Sequence, residues 1–241
     1  MAFDEKTNRP GVICPTCTPP ERGLYLVHGK DFLLGFNPEY PVGQAKYKIA
    51  AHTVEAVSRV VRSMETPLEP WIAVVPPGIE SALDVFAGYI FMDAWIANQD
   101  RHHENWAGVM NCQSSGISVN LAPSFDHGAA LARNLSDLNR EKRMTTNDLG
   151  YGIREYAKRA KSAFNASGNS ARTLTTDEAW KAFAEQVPAA AIIWKERLHA
   201  VNGNAIRSVL DAVPADRMSE TGKEFTFRLL WENRIRLLEE S

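Results

Sequence analysis

Apolar residues recur at helical spacing along much of the chain, and the clearest case lies just before a long polar loop. Between residues 83 and 97 the apolar positions follow the i, i+3, i+4, i+7 spacing of a buried helix face. These positions are Leu83, Phe86, Ala87, Ile90, Ala94 and Ala97. We therefore expect a rigid, buried helix that can hold the polar residues 98–106 that follow it.

Two short apolar runs after this loop predict a β-hairpin. Residues 106–110 and 117–121 form these runs, and the polar stretch between them ends in Gly116, which is typical of a turn. A hairpin returns the chain to the end at which it started. We therefore expect the polar loop to lie near the residues that follow the hairpin, which are Phe125, Asp126, His127 and Gly128.

Weaker patterns predict the remaining elements. Short strands are expected at residues 11–14, 24–27 and 72–75. Helices are expected at residues 52–64, 151–164, 176–186, 188–200, 205–212 and 219–238, with an exposed loop or short helix at 137–143 and a loop at 165–176. The tryptophans expected to lie in the core are Trp180, Trp194 and Trp231. The predicted fold is mainly α (α+β), a helical bundle with a short β-hairpin.

Composition is that of an ordinary globular protein. The chain has 241 residues, of which 44% are hydrophobic and 23% charged, enough for one large domain or two small ones. A net charge of −2 gives no general attraction to nucleic acid or to anionic membranes, so we expect no direct nucleic-acid binding. No apolar run reaches the ~18 residues of a membrane span, and the first residues lack a secretory apolar core. We expect a cytoplasmic protein without membrane partners.

The cysteines do not form a recognisable framework. Their number is three, which is odd and argues against a set of disulfides. Cys14 and Cys17 form a C-x-x-C motif, but a zinc site needs a second pair of ligands, and Cys112 has no such partner. A redox motif is expected beside a βαβ unit, which the pattern does not predict. Incidental cysteines are the favoured interpretation.

The polar loop and the segment after the hairpin contain candidate catalytic residues. Asp100 and Asn105 have four residues between them, and Asp-x-x-x-x-Asn ends the kinase catalytic loop, where the Asp acts on the substrate hydroxyl and the Asn binds Mg²⁺. Asp126, with the apolar Phe125 before it and Gly128 nearby, is arranged similarly to the kinase Asp-Phe-Gly motif. Mg²⁺ prefers one or two carboxylates completed by phosphate and water, which fits this sparse oxygen set. A solvated turn is the alternative for either motif alone, but their joint pattern favours function.

These residues resemble a known family. Residues 86–106, together with 121–128, resemble the C-terminal lobe of HipA-like Ser/Thr kinases, which are distantly related to phosphatidylinositol kinases and best known from bacterial toxin–antitoxin modules. The resemblance is specific over residues 83–128, loose over 9–63 and only compositional after 140.

The resemblance carries implications for the fold, the site and the partners. It implies a protein-kinase-like C-lobe at residues 81–241, in which the hairpin carries the metal site, and a junction segment from the lobe interface at 1–80. It also implies Asp100 as the catalytic base, Asn105 and Asp126 as the ligands of ATP-bound Mg²⁺, and a Ser or Thr of a protein substrate as the acceptor. An N-lobe or an antitoxin subunit is the further partner that it implies.

A phosphate-binding loop is missing from the sequence. No Gly-x-Gly-x-x-Gly occurs, and Gly23 is separated from Gly29 by one residue too many for a P-loop, with Asp31 where Ser or Thr should stand. The resemblance places residues 26–29 after the ATP-binding N-lobe. The Gly-rich loop and its Lys would then lie upstream of Met1, and phosphoryl transfer is expected to need an N-lobe supplied in cis or in trans.

Two other functions remain open. One is a non-catalytic kinase C-lobe retained for binding, or a gene fragment. The other is a metal-dependent hydrolase that uses the histidines of the polar loop, although no His-Glu-x-x-His occurs and the adjacent His102 and His103 cannot easily both turn inward. We expect one of these histidines to orient Asp100 or the loop backbone.

The predicted helix at residues 151–164 carries an unusual number of basic residues, which are Arg154, Lys158, Arg159 and Lys161. Such a helix can contact an acidic partner or nucleic acid. A solvated helix face is the commoner outcome.

Overall fold

Helices are the main regular structure of the chain, and the strands form small antiparallel sheets. The computed structural model describes residues 2–3, 10–11, 14–43, 49–113, 116–168 and 172–239. The strands are β1 Ala2–Phe3, β2 Pro10–Gly11, β3 Leu24–His28, β4 Ala107–Gln113, β5 Gly116–Leu121, β6 Lys161–Asn165 and β7 Thr173–Thr175. The helices are α1 Gly29–Phe36, α2 Val54–Val61, α3 Ala82–Ile96, α4 Asp137–Thr145, α5 Ile153–Lys158, α6 Thr176–Ala184, α7 Pro188–His199, α8 Gly203–Asp211 and α9 Glu220–Glu239. The predicted mainly α fold with a short hairpin is confirmed.

Helix α3 lies at the centre of this arrangement. It begins with a capping box in which Ser81 Oγ accepts the Asp84 amide and the Asp84 carboxylate accepts the Ser81 amide. It packs against α2, α6, α7, α9 and β5, so that apolar side chains are buried around its circumference. The core beside it includes Phe86 of α3, Val57 of α2 and the fully buried Trp180 of α6. None of the helices in the described ranges is long and apolar enough to cross a membrane.

A three-stranded antiparallel sheet, in the order β3-β4-β5, contains the predicted hairpin and one strand more. Strand β3 runs beside β4 with Leu24 opposite Asn111 and His28 opposite Ala107. The sheet and the core around α3 both include residues from before and after position 80. The division into segments 1–80 and 81–241 is therefore not marked by a gap in the packing, and it stays a prediction.

The predicted strand at 72–75 is wrong, because a 3-10 helix, Trp71–Val74, lies there. Its turn is closed by the Ala73 and Val75 amides, which donate to Pro70 O and Ile72 O at 3.2 and 3.0 Å. In a short apolar run, the spacing of the apolar residues does not distinguish a strand from a helical turn. Prolines on both sides of this run keep it from joining a sheet.

The predicted helix at 151–164 is also wrong in its second half. Helix α5 ends at Lys158, and the chain continues as β6, where Ser162 and Phe164 are buried and Lys161 is exposed. This alternation is the period of a strand, and it lets Phe164 stack on His52 with ring centroids 4.6 Å apart. Strand β7 lies in the predicted loop at 165–176, because its short run pairs with β6.

At the N-terminal side the prediction is incomplete. Strand β2 ends at Gly11, Cys14 lies outside any strand, and the rest of the predicted strand at 11–14 falls outside the described residues. Helix α1, which follows β3 directly, has no counterpart among the predicted elements. Its first residue is glycine and no side chain caps it, so the usual start signals are absent. The cysteines Cys14, Cys17 and Cys112 are free thiols.

Candidate active site

The polar loop begins with a sharp turn at the end of α3. Ala97 adopts a left-handed conformation with φ of 52° and ends the helix. Asn98 then binds back to Asp93 of the helix, through its amide at 2.8 Å and its side-chain Nδ2 at 2.8 Å. The direction in which the loop leaves the helix is therefore fixed by bonds to the helix itself.

A buried arginine joins this loop to the segment after the hairpin. Arg101 donates from Nε and Nη2 to the two carboxylate oxygens of Asp93, at 2.7 and 2.8 Å. Its Nη1 also donates to Asn105 O at 2.8 Å and to Phe125 O at 3.4 Å, and its Nη2 to Ser124 Oγ at 2.8 Å. Bidentate pairing of this kind is strong and directional. One guanidinium therefore holds helix α3, the loop and the residue before Asp126 in a fixed arrangement.

Sequence reasoning missed Arg101 and Asp93 as site residues. Asp93 is a carboxylate on an otherwise apolar helix, and such a charge is almost never buried without a partner. That signal was present in the sequence, although it does not say which cation is the partner.

Asp100 lies at the surface end of the loop, where a histidine contacts it. His102 Nε2 is 3.3 Å from Asp100 Oδ1. The other ring nitrogen, Nδ1, accepts the backbone N–H of Glu104 at 3.1 Å, so in the neutral ring the proton sits on Nε2. His102 thus has the place expected of a histidine that orients Asp100.

Asn105 is buried beside Asp100. Its Nδ2 donates to the backbone carbonyl of Asp100 at 2.8 Å. Because the amide nitrogen is engaged in this bond, Oδ1 is the atom that a cation would bind. The bond also fixes the separation of the two predicted residues along the loop.

Asp126 has an unusual backbone conformation and an exposed side chain. Its φ is 53°, in the left-handed region that residues other than glycine rarely adopt, although Asp tolerates it better than most. Next to it, Ser124 Oγ and His127 Nε2 are 2.7 Å apart. Burial and the nearby Arg101 guanidinium lower the pKa of His127 below its ordinary value, which favours the neutral ring, and this ring shares a hydrogen bond with the Ser124 hydroxyl. The segment that presents Asp126 is therefore bonded to the same arginine as the loop.

The three predicted residues thus come from segments that the structure brings together. Asn105 bonds directly to Asp100, and Arg101 bonds both to Asn105 and to the residue before Asp126. Carboxylate and amide oxygens are ligands that suit Mg²⁺, which takes few protein carboxylates and completes its shell with phosphate and water.

The junction between β3 and α1 holds the loop from its other side. The Gly29 amide donates to Trp106 O and the Lys30 amide donates to His103 O, both at 2.9 Å. The Gly29 backbone lies so close to the Trp106 ring that a Cβ added there would be 2.2 Å from a ring carbon. This junction was not predicted to take part in the site.

Side chains strengthen the same junction. His28 Nδ1 donates to Glu104 O at 2.8 Å, and Lys30 Nζ donates to Glu104 Oε1 at 2.8 Å. The bond between the Lys30 and Glu104 side chains raises the pKa of Lys30 and lowers the pKa of Glu104, so both groups are charged at neutral pH.

The second histidine of the loop, His103, makes its contacts inside the protein. His102 and His103 are both buried, contrary to the expectation that they cannot both turn inward. Both can be buried because their ring planes lie 84° apart, so the two side chains contact different partners. The partner of His103 is Tyr40, whose hydroxyl is 3.1 Å from His103 Nδ1. In the described parts of the chain, no group of three or more His, Cys, Asp or Glu side chains is placed to hold a metal. The hydrolase alternative therefore gains no support.

Comparison with known proteins agrees with this fold. No protein-family model matches the chain, and no curated protein matches it. Among solved structures, a Helicobacter pylori proinflammatory kinase, CtkA, is similar with a TM-score of 0.60, over 91% of this chain and 70% of that one. The chain has a kinase-like fold. At 19% identity the similarity shows the fold alone, so membership of the HipA-like family and the roles of Asp100, Asn105 and Asp126 stay predictions.

The close approach at Gly29 gives a test of how the loop is held. We expect Gly29→Ala to lower the free energy of unfolding by about 1–3 kcal/mol, because the new methyl group collides with a buried ring. Urea denaturation measures this change. Gly35→Ala is the matched control on the same helix, where an added Cβ meets nothing within 4 Å and should stabilise the helix by up to ~1 kcal/mol. Equal effects of the two substitutions would contradict the proposed packing.

Proposed function

We propose that this chain is the C-lobe of a HipA-like kinase that transfers the γ-phosphoryl group of ATP to a Ser or Thr hydroxyl of a cytoplasmic protein. The observation that carries the proposal is the Arg101 network, which unites the Asp100–Asn105 loop with the Asp126 segment in a chain of kinase-like fold. An assembly of this kind supplies positioning and charge stabilisation, which are most of what phosphoryl transfer requires of a protein.

Each residue has a distinct role in the proposal. Asp100 accepts the proton of the substrate hydroxyl, and the His102 ring, with Nε2 3.3 Å from Asp100 Oδ1, positions its carboxylate. Asn105 Oδ1 and the Asp126 carboxylate would hold Mg²⁺, which would supply neutralisation of charge on the phosphates. The buried Arg101 contacts no substrate and sets the positions of the other residues.

A partner is part of the proposal. The sequence has no Gly-x-Gly-x-x-Gly motif to cover the phosphates, so an N-lobe, supplied in cis or in trans, completes the nucleotide cleft. Without it ATP is exposed to water, where each remaining polar contact is weaker. We expect radiolabelled ATP to label a generic protein substrate strongly only when an N-lobe is present. Robust labelling by the chain alone would contradict this part of the proposal.

The metal role gives the most direct test of the site. We expect Asp126→Asn to abolish Mg²⁺-dependent nucleotide binding, because the substitution removes the one carboxylate proposed as a metal ligand. Titration of a fluorescent ATP analogue, with and without Mg²⁺, measures this affinity.

The control for this test is Asp211→Asn, which removes an exposed carboxylate on α8 and should leave binding unchanged. If Asp126→Asn and the wild type bind Mg²⁺-nucleotide equally, the metal assignment is wrong. Metal-dependent binding without any turnover, even with an N-lobe present, would favour the alternative of a non-catalytic binding module.

A further inference from the structure

A cavity of about 340 Å³, lined by charged and aromatic side chains, opens beside the residue that precedes Asp100. Helices α4 and α5 and the turn between them form most of its wall, and Gln99 of the polar loop closes one side. The lining residues that matter are Gln99, Arg143, Tyr151, Glu155, Tyr156 and Arg159. Consecutive Cα atoms are 3.8 Å apart, so the cavity lies within one residue of the proposed catalytic base.

The cavity wall is fixed relative to the loop by a shared apolar core. Ala97, which ends α3, packs in one cluster with Ala157 and Ala160, the residues on either side of the end of α5. Met144 of α4 and Tyr156 of α5 pack against the same cluster. The cavity therefore keeps its place beside Asp100 without depending on the nucleotide cleft.

Arg143 gives the cavity its charge. Its guanidinium carbon lies 4.2 Å from the centre of the Tyr151 ring and 4.7 Å from that of Tyr156, so two aromatic faces hold it in place. Its Nη1 donates to Tyr151 O at 2.9 Å. Its Nε is buried without a hydrogen-bond acceptor, and no carboxylate in the described ranges forms an ion pair with this guanidinium.

The second arginine of the cavity is partly neutralised. Arg159 Nε donates to Glu155 Oε1 at 2.8 Å, and both residues line the cavity. The three charged residues that line it therefore sum to one positive charge, and the exposed Lys158 lies nearby on α5. The sequence pattern showed basic residues on this helix, and the proposed active site gives them no role.

We propose that this cavity binds an acidic or phosphorylated side chain of the substrate, within a few residues of the acceptor Ser or Thr. The proposal rests on the proposed kinase function for the identity of the acceptor, but the binding itself needs neither nucleotide nor turnover. Arg143 is held over two rings, and Nη1 and Nε are taken up by Tyr151 O and by burial, so Nη2 is the group of this cation that can meet a carboxylate or phosphate oxygen. A substrate seated here lies next to Gln99, the residue that precedes Asp100.

The test is peptide binding to the full chain by fluorescence anisotropy, in the absence of nucleotide. The peptides share one central Ser and carry Glu, phosphoserine or the neutral Gln at each flanking position in turn. We expect the best acidic or phosphorylated peptide to bind about tenfold tighter than its Gln counterpart, as one charge-assisted contact provides. The Glu and phosphoserine sets distinguish a carboxylate from a phosphate ligand.

Three variants locate the effect. Arg143→Gln should remove the tenfold preference, whereas Lys158→Gln, an equal loss of charge on the same surface but outside the cavity, should change affinity by less than about twofold. Glu155→Gln should tighten binding of the acidic peptides, because it removes a like charge from the cavity and releases Arg159. A gain of affinity cannot come from misfolding, so this variant stays informative if Arg143→Gln fails to fold.

Several results would overturn the proposal. They are equal affinity for acidic and Gln peptides, equal losses in Arg143→Gln and Lys158→Gln, or no gain in Glu155→Gln. Tighter binding of a single-stranded RNA oligonucleotide than of any peptide, with the same dependence on Arg143, would also overturn it in favour of nucleic acid. A failure of phosphoryl transfer leaves all of these binding results unaffected, so the two proposals fail separately.

Discussion

Asp100→Asn is expected to lower the rate of phosphoryl transfer by about 10²–10⁴-fold while nucleotide affinity stays near that of the wild type. The amide cannot accept the proton of the substrate hydroxyl, but it keeps the size of the carboxylate. The bond from Asn105 is made to the backbone carbonyl of Asp100, which the substitution leaves in place, and an amide can lie beside His102 Nε2 as the carboxylate does at 3.3 Å. The expected defect is therefore chemical and not structural.

The measurement is radiolabelled phosphate transfer and nucleotide binding, both on a complex that contains an N-lobe. Asp216→Asn is a suitable control, because its exposed carboxylate pairs with the adjacent Arg217 at the surface, and such pairs contribute little. Retention of transfer in Asp100→Asn would show that another residue is the base. A parallel loss of nucleotide affinity would instead assign Asp100 to the metal site.

Arg101→Gln should destabilise the fold by about 3–5 kcal/mol, the cost of leaving a buried carboxylate without its cation. Asp93 is buried on α3, and in the wild type both of its oxygens accept from Arg101. Glutamine is too short and too poor in donors to replace the bonds to Asp93, Asn105 and Ser124 together. Urea denaturation gives the free energy of unfolding, and nucleotide binding should fall with it as the loop and the Asp126 segment separate.

A double substitution distinguishes the two causes of this loss. Asp93→Asn combined with Arg101→Gln removes the uncompensated charge, so it should recover part of the stability but none of the nucleotide binding. Arg159→Gln is the control for loss of an exposed ion pair and should cost less than about 1 kcal/mol. A loss below that value in Arg101→Gln would show that the network does not hold the site.

The residues of the candidate site could be recognised in the sequence, but the contacts that hold them in place could not. Asp100 and Asn105 could be found because a loop of fixed spacing carries both, and the hairpin pattern places Asp126 near them. The Asp93–Arg101 pair and the junction at Gly29 depend on the folded arrangement of separate segments, which no local spacing encodes. In the sequence, the only sign of a buried charge pair is an isolated polar residue within an apolar run.

The errors in the fold have a similar origin. Residues 161–164 carry apolar positions that fit a helix when counted from Ile153, and only pairing with β7 and stacking of Phe164 on His52 make them a strand. Residues 72–75 are apolar without any period, so their pattern could not distinguish a strand from a 3-10 turn. In both places tertiary contacts decided between local structures of similar propensity.

The position of β3 has a consequence for the order in which the molecule folds. The bonds from His28 and Lys30 to Glu104 join residues 76 and 74 positions apart in the chain. The entropy of closing so long a loop must be overcome before these contacts contribute, and non-local contacts of this kind slow folding and arise late. The polar loop therefore acquires its final shape with the whole domain and not as a local unit. Hydrogen exchange at the Lys30 amide, which donates to His103 O, should accordingly report global unfolding rather than a local opening of the loop.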